Sequence, residues 1–159
     1  KYIKSETTIT DQTGLIQSLE ITFNTRQIKS FIPIIKIAEQ QEVLTPGRIQ
    51  NIEGFTMFFD LDLAQPKEYR HTDQDYIQNH NVIDPNIVKK AEAVFFLSKE
   101  KFEILTEQQK QNLKLYYKDG SQWKSTELTC IAENNQYLCS ATLDKFSSKF
   151  AISAANGES

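Results

Sequence analysis

The sequence is poor in the features that mark several large classes of protein. Its 159 residues include only 5 Gly, 4 Pro, 2 His and 2 Cys. No apolar run approaches the ~20 residues of a membrane-spanning helix, and so few glycines leave no phosphate-cradling loop. There is no Cys-x-x-Cys pair for zinc and no Gly-x-Ser-x-Gly elbow for a hydrolase nucleophile. We therefore expect that the protein is not an enzyme and holds no cofactor.

An excess of positive charge is also lacking. The chain has 18 Lys and Arg against 21 Asp and Glu, which gives a formal net charge of -3 at pH 7. Nucleic acids and anionic membranes bind strongly basic surfaces, so we expect neither as a partner. Hydrophobic residues make up 39% of the chain, which is enough for a packed interior. Because the sequence opens in a polar stretch without Met or a signal peptide, we expect a mature chain or a piece of a longer protein.

The two cysteines are spaced so that they face each other across a β-hairpin. If Asn134 and Asn135 form a two-residue turn, which Asn allows because it tolerates positive φ, counting outward places Cys130 opposite Cys139. This pair takes a non-hydrogen-bonded position, where Cα atoms lie ~4.5 Å apart and within disulfide reach. We predict a disulfide and hence an oxidising, extracellular or cell-surface compartment. The alternative is two free thiols in a reducing cell.

Apolar residues at every second position predict β-strands along most of the chain. The alternation is clearest over residues 19–23, 55–63, 91–97 and 113–117. The apolar segment 31–38 contains Pro33, which cannot donate to a β-ladder and so favours the edge of a sheet. Strands that recur every ~8–12 residues predict an all-β fold, an Ig-like β-sandwich.

Local signals between these strands predict turns, caps and a domain boundary. Ser98 and the Thr-x-x-Gln sequence at Thr106 are typical caps of short helical turns, and Asp119-Gly120 indicates a hairpin. We expect two sandwich-like lobes, an N-terminal β lobe over residues 1–80 and a C-terminal Ig-like β lobe with the cysteine hairpin over residues 81–159. One continuous domain is the alternative.

Alternating carboxylates are the candidates for a metal site. Asp60 and Asp62 share one face of a predicted strand, and His71, Asp73 and Asp75 share another. Ca²⁺ takes oxygen ligands of this kind. However, no Asp-x-Asp-x-Asp-Gly loop surrounds them, and a solvated strand face is the more common reason for such carboxylates. We therefore assign no metal.

Aromatic residues offer a second kind of candidate site. Trp123, Tyr116 and Tyr117 can form a stacking platform for a sugar, or they can fill a sandwich core with their polar tips at its rim. The first interpretation makes a carbohydrate-binding module one alternative for the function.

Two motifs in the second half of the chain carry a family resemblance. They are Tyr116-Tyr117-x-Asp119-Gly120-x-x-Trp123 and Phe146-Ser147-x-x-Phe150-Ala151-Ile152. With the apolar segment 91–97 before them, they resemble the PGF-pre-PGF domain of archaeal cell-surface proteins over roughly residues 80–153. The resemblance implies an extracellular structural or adhesive module without catalytic residues. It also implies core or turn roles for Tyr116, Tyr117, Asp119, Gly120, Trp123, Phe146, Phe150 and Ile152.

A second resemblance is to the GPS segment of GAIN domains in adhesion receptors and polycystin-like proteins. Trp123, the two cysteines and the segment Ser148-Lys149-Phe150-Ala151 are similar to its pattern. In that family a Thr or Ser is the nucleophile of self-cleavage and a His is its base. Ser148 fits the nucleophile position, but Phe146 and Ser147 occupy the His-Leu positions. We therefore predict no autoproteolysis.

The sequence as a whole predicts a non-catalytic, extracellular structural or adhesive module of a larger cell-surface protein or filament. We expect protein partners or self-association through sheet edges, and the strand that carries Pro33 is a candidate edge. The alternatives are a GAIN-like domain of a surface receptor and a carbohydrate-binding module that uses Trp123 and Tyr116.

Overall fold

The structure is a computed structural model that describes residues 3–8, 15–25, 28, 31–37, 57–66 and 80–154. The strands within these residues are β1 (Ile3–Thr8), β2 (Ile16–Phe23), β3 (Ile32–Ile37), β4 (Met57–Pro66), β5 (His80–Val82), β6 (Val88–Ser98), β7 (Leu113–Asp119), β8 (Gln122–Glu127), β9 (Thr129–Glu133), β10 (Gln136–Leu143) and β11 (Lys149–Ala154). Two short helices, α1 (Lys99–Glu103) and α2 (Glu107–Gln111), separate β6 from β7, and a 3-10 turn covers Pro85–Ile87.

The strands pair into two antiparallel sheets. One sheet has five strands in the order β1-β2-β6-β10-β9. The other has the order β3-β4-β11-β7-β8, with β5 paired to the end of β4. The predicted all-β sandwich with short helical turns is therefore confirmed. Strands from both sides of residue 80 belong to both sheets, so the boundary drawn there does not separate one sheet from the other.

A hydrophobic core lies between the two sheets. Phe95 of β6 contacts Phe59 of β4 across the sandwich in an edge-to-face arrangement, with ring centroids 5.8 Å apart. Phe59 also stacks on Phe150 of β11 at 5.5 Å. All three side chains are at most 2% exposed. Buried residues from both sheets and from both sides of residue 80 join this one cluster.

Two features predicted from the alternation and from proline are confirmed. Leu19, Ile21 and Phe23 of β2 are buried, while Glu20 and Thr22 between them are only half-buried. β3, the strand that carries Pro33, lies at the edge of the six-stranded sheet. A residue without an N–H fits there because only one side of an edge strand is paired.

Two polar caps begin the helices, as predicted. Ser98 Oγ accepts a hydrogen bond from the Lys101 N–H at 3.2 Å. At α2 the Thr106 N–H donates to Gln109 Oε1 at 2.9 Å, and the Gln109 N–H donates to Thr106 Oγ1 at 3.1 Å. This reciprocal capping box satisfies two backbone donors at the helix start. The two helices carry the chain from β6 in one sheet to β7 in the other.

Candidate functional site

A disulfide joins Cys130 of β9 to Cys139 of β10. The two residues are direct partners in the ladder, and their Cα atoms are 4.0 Å apart. The turn between the strands is formed by Asn134 and Asn135, whose φ angles are 48° and 69°. Positive φ at both positions matches a two-residue primed turn, which suits the twist of a hairpin. The predicted disulfide and the predicted register are both confirmed.

The disulfide connects an edge strand to the hydrophobic core. Cys139 is fully buried, and its partner in the neighbouring strand β6 is the core residue Phe95. Cys130 is partly buried and packs against the same core. Among the strands that the structure describes, β9 has a hydrogen-bonded neighbour on one side only, so the covalent bond fixes a strand that would otherwise open easily.

A row of apolar side chains crosses the outer face of the same hairpin. Ile131 of β9 lies beside Leu138 of β10, and Leu138 lies beside Phe96 of β6. Leu138 and Phe96 are half-buried, whereas Ile131 is 59% exposed. We call these three residues the apolar row. This row was not identified from the sequence. The signal was present, because Cys130 and Ile131 are consecutive residues of one strand and their side chains must therefore point to opposite faces of the sheet.

A second, smaller cluster lies on the outer face of the six-stranded sheet. Phe58, Tyr116 and Ala151 are buried there, and Trp123 packs against them with its ring 6.3 Å from that of Phe58. The ammonium group of Lys118 lies 6.0 Å from the centre of the Trp123 ring. Tyr116 is only 5% exposed, so it presents no ring face to a sugar. The interpretation of Tyr116 as part of a stacking platform is therefore wrong.

The other residues of the two motifs lie in the main core or at a turn. Phe146, Phe150 and Ile152 are buried in the main core, and Tyr117 packs against it from a partly buried position. Gly120 has a φ of 67° at the first loop position between β7 and β8. This backbone conformation suits glycine because a side chain there would be strained.

Asp119 binds two lysines at the end of β7. Its carboxylate lies 3.0 Å from Lys124 Nζ and 3.3 Å from Lys145 Nζ. The hydrogen bond from Lys124, followed by that from Lys145, lowers the pKa of Asp119. The contact joins the β7–β8 hairpin to the loop before β11. The sequence carried no signal for this, because Asp119 and Lys145 are 26 positions apart.

Asp60 and Asp62 lie on the outer face of β4. Their shared face was predicted from their spacing of two residues in the strand. Asp60 is paired with a lysine, since Lys149 Nζ lies 3.4 Å from Asp60 Oδ1. Within the described part of the chain, no three metal-ligating side chains lie together. The remaining predicted candidates, His71, Asp73 and Asp75, lie outside the described residues.

The Asp62 carboxylate is expected to reduce stability at neutral pH. Burial, together with the neighbouring Asp60, raises the pKa of Asp62 against an opposing effect of Lys149. A raised carboxyl pKa means that the folded state disfavours the charged form. This cost decreases as the pH falls through the folded-state pKa and is gone below the unfolded-state pKa, where the carboxyl is protonated in both states. Asp62→Asn should therefore raise the melting temperature at neutral pH by about 1–2 °C and leave it unchanged near pH 3.

Thermal unfolding at the two pH values tests this prediction. Asp144→Asn, at an exposed carboxylate, is the matched control and should have no effect at either pH. An equal gain from Asp62→Asn at both pH values would show that the charge of the carboxylate is not the cause.

The segment similar to the GPS motif lies just before β11. Phe146, at the position of the family's His, is buried and packs edge-to-face on Phe150 at 5.4 Å. Ser147 Oγ accepts a hydrogen bond from the Lys149 N–H at 3.1 Å, and the Ser148 carbonyl accepts one from the Leu61 N–H at 2.9 Å. Phe146 cannot act as a general base for Ser148. The absence of autoproteolysis stays a prediction.

A cavity of about 360 Å³ opens at the end of the sandwich near α1. Side chains of both sheets line it, including Ile37 and Met57 from one sheet and Leu97 and Gln136 from the other, together with Lys101. This mixture of apolar groups and one cation indicates no particular ligand, and we assign it no function.

Comparisons with protein-family models, curated proteins and solved structures find no match. The resemblances to the PGF-pre-PGF domain and to the GPS segment therefore stay predictions. Among the residues that the structure describes, no helix has the length and apolar character needed to cross a bilayer.

Proposed function

We propose that this chain is a non-catalytic, extracellular structural or adhesive module of a larger cell-surface protein or filament. The observation that carries the proposal is the disulfide between Cys130 and Cys139, whose second sulfur lies in the core. Structural disulfides persist in oxidising compartments and are rare in the reducing cytosol. A bond that links an edge strand to the core is a structural one, because its loss would loosen the hairpin rather than change any chemistry.

The adhesive part of the proposal is supported by apolar side chains that are exposed on the edge strands of the two sheets. Large apolar side chains are exposed on edge strands of both sheets, Ile34 and Ile37 on β3 and Ile131 on β9. An edge strand offers unpaired backbone donors and acceptors to an incoming strand, and exposed apolar side chains beside it add contact area. Binding through edges needs no deep pocket.

The cellular location is tested by labelling source cells with antibodies raised against the purified domain. Intact cells should bind the antibody as strongly as permeabilised cells do, with an antibody to a cytosolic protein as the control for leakage. Labelling that appears only after permeabilisation would contradict an extracellular location.

Adhesion is tested separately with beads coated with the purified chain. Coated beads should bind source cells, and beads coated with the double variant Ile34→Glu/Ile131→Glu should bind fewer cells. Albumin-coated beads give the background. If wild-type beads bind no better than albumin beads, the chain does not act as an adhesive module.

A further inference from the structure

Four described strands lie at the ends of the two sheet orders, β1 and β9 in one sheet and β3 and β8 in the other. They differ in how they are protected against pairing with another chain. Lys and Pro are common protective residues on edge strands. β3 contains Pro33 and Lys36, β8 contains Lys124, and β1 contains Lys4. β9, with the sequence Thr-Cys-Ile-Ala-Glu, contains neither residue type. Among the four described strands at these ends, β9 is therefore the one that lacks these residue types. The described strand β5, paired to the end of β4, also lacks them, but it has only three residues.

The turn determines which backbone groups of β9 are free to pair. Glu133 and Gln136 flank the two-residue loop and form the first hydrogen-bonded pair, and pair types alternate from there. Cys130 and Ala132 consequently direct their N–H and C=O groups away from β10. The described residues place no strand on that side. The disulfide keeps these groups in an extended, fixed arrangement, so little order has to be gained when another strand binds.

We propose that β9 pairs antiparallel with β9 of a second copy of this chain, across a two-fold axis at Ile131. The two five-stranded sheets then join into one continuous sheet. This proposal deepens the proposed function, on which it rests, because it names the partner and the edge.

The residues of β9 are self-complementary in this register. Cys130 and Ala132 of one copy form hydrogen-bonded pairs with Ala132 and Cys130 of the second copy, which matches the free groups on both strands. Ile131 faces Ile131 of the second copy, so the apolar row continues from one sheet into the next on the same face. Two-fold symmetric pairing of this kind closes as a dimer.

The charges and the number of paired residues favour the register with its axis at Ile131 over registers whose axis is shifted by one residue. Glu133 lies opposite Thr129 of the second copy, and the two Glu133 carboxylates are four strand positions apart, about 13 Å, where solvent and salt screen them. A shift of the axis by one residue to Ala132 reduces the overlap from five residues to three and places Ile131 opposite Glu133. A shift to Cys130 also leaves only three residues paired.

The dimer is expected to be weak in solution. Two paired five-residue strands bury much less than the ~1,600 Å² of a standard stable interface. The interaction becomes significant where many copies are held together, as on a cell surface or along a filament, because the effective concentration there is high.

Sedimentation velocity over a range of chain concentrations tests the proposal. The wild type should form a dimer that dissociates on dilution. Ile131→Glu places like charges directly opposite each other and should weaken the dimer about tenfold or more. Ala132→Pro removes one outward N–H per copy while leaving the β9–β10 ladder intact, and should have an effect of similar size. Circular dichroism and melting temperature show whether each variant is folded.

Ile34→Glu is the matched control, because it makes the same change at an exposed Ile on the other edge strand, β3. It should leave dimerisation unchanged. Hydrogen exchange provides a second measurement, in which the amides of Cys130 and Ala132 should gain protection on dimerisation. A chain that stays monomeric at high concentration, or a dimer lost in Ile34→Glu but kept in Ile131→Glu, would overturn the proposal. Surface labelling and wild-type bead adhesion would be unaffected by either result, so the two proposals fail separately.

Discussion

Phe95→Ala is expected to lower the free energy of unfolding by about 3–5 kcal/mol, the range seen when a large aromatic side chain is removed from a core. Phe95 is 1% exposed and contacts Phe59 of the opposite sheet. Its loss opens a cavity where the two sheets meet, next to the disulfide. Urea denaturation followed by the fluorescence of Trp123, the one tryptophan of the chain, measures the change.

Phe96→Ala is the matched control for this prediction. Phe96 is the next residue of the same strand, but it lies half-buried on the outer face of the sheet, beside Leu138. Its truncation should cost about 1 kcal/mol, because its neighbours and the solvent can fill the space. Equal losses for the two variants would contradict the assignment of the inner and outer faces of β6.

Replacing both cysteines is expected to have the second-largest effect. Cys130→Ala/Cys139→Ala should lower the free energy of unfolding by about 2–3 kcal/mol, because the unfolded chain is no longer constrained by a loop of this length. Loss of the buried Cys139 sulfur adds a small cavity. Urea denaturation under non-reducing conditions gives the value.

Reducing agent provides the control for the cysteine experiment. It should destabilise the wild type by a similar amount and leave the double variant unaffected. Before reduction, the intact mass of the wild type should be lower than the reduced mass by two hydrogen atoms. Alkylation of both cysteines in the unreduced, folded protein would show that the bond is absent.

Local features could be predicted from the sequence because a few neighbouring residues determine them. The cysteine register follows from two Asn residues that accept positive φ, and the helix start at Thr106 follows from a hydroxyl and an amide three positions apart. The edge position of β3 follows from the missing N–H of Pro33. In each case the residues that determine the feature lie within one turn or one strand.

Long-range pairing could not be predicted in this way. No residue of β11 indicates that it lies between β4 and β7, because alternation shows which side chains are buried but not which strand is the neighbour. For the same reason, alternation gives no sign that each sheet combines strands from both sides of residue 80. The burial of Tyr116 beside Phe58 depends on that pairing as well, since β11 brings the two residues together.

The position of β11 has a consequence for the order of folding. β11 follows every other described strand in the chain, yet it lies inside its sheet, where Lys149 reaches Asp60 across 89 positions of sequence. Until β11 has been synthesised, the backbone groups of β4 and β7 that later pair with it have no strand partner there. Unpaired strand edges of this kind promote aggregation. The six-stranded sheet is therefore complete only after synthesis has passed residue 154, the last residue of β11.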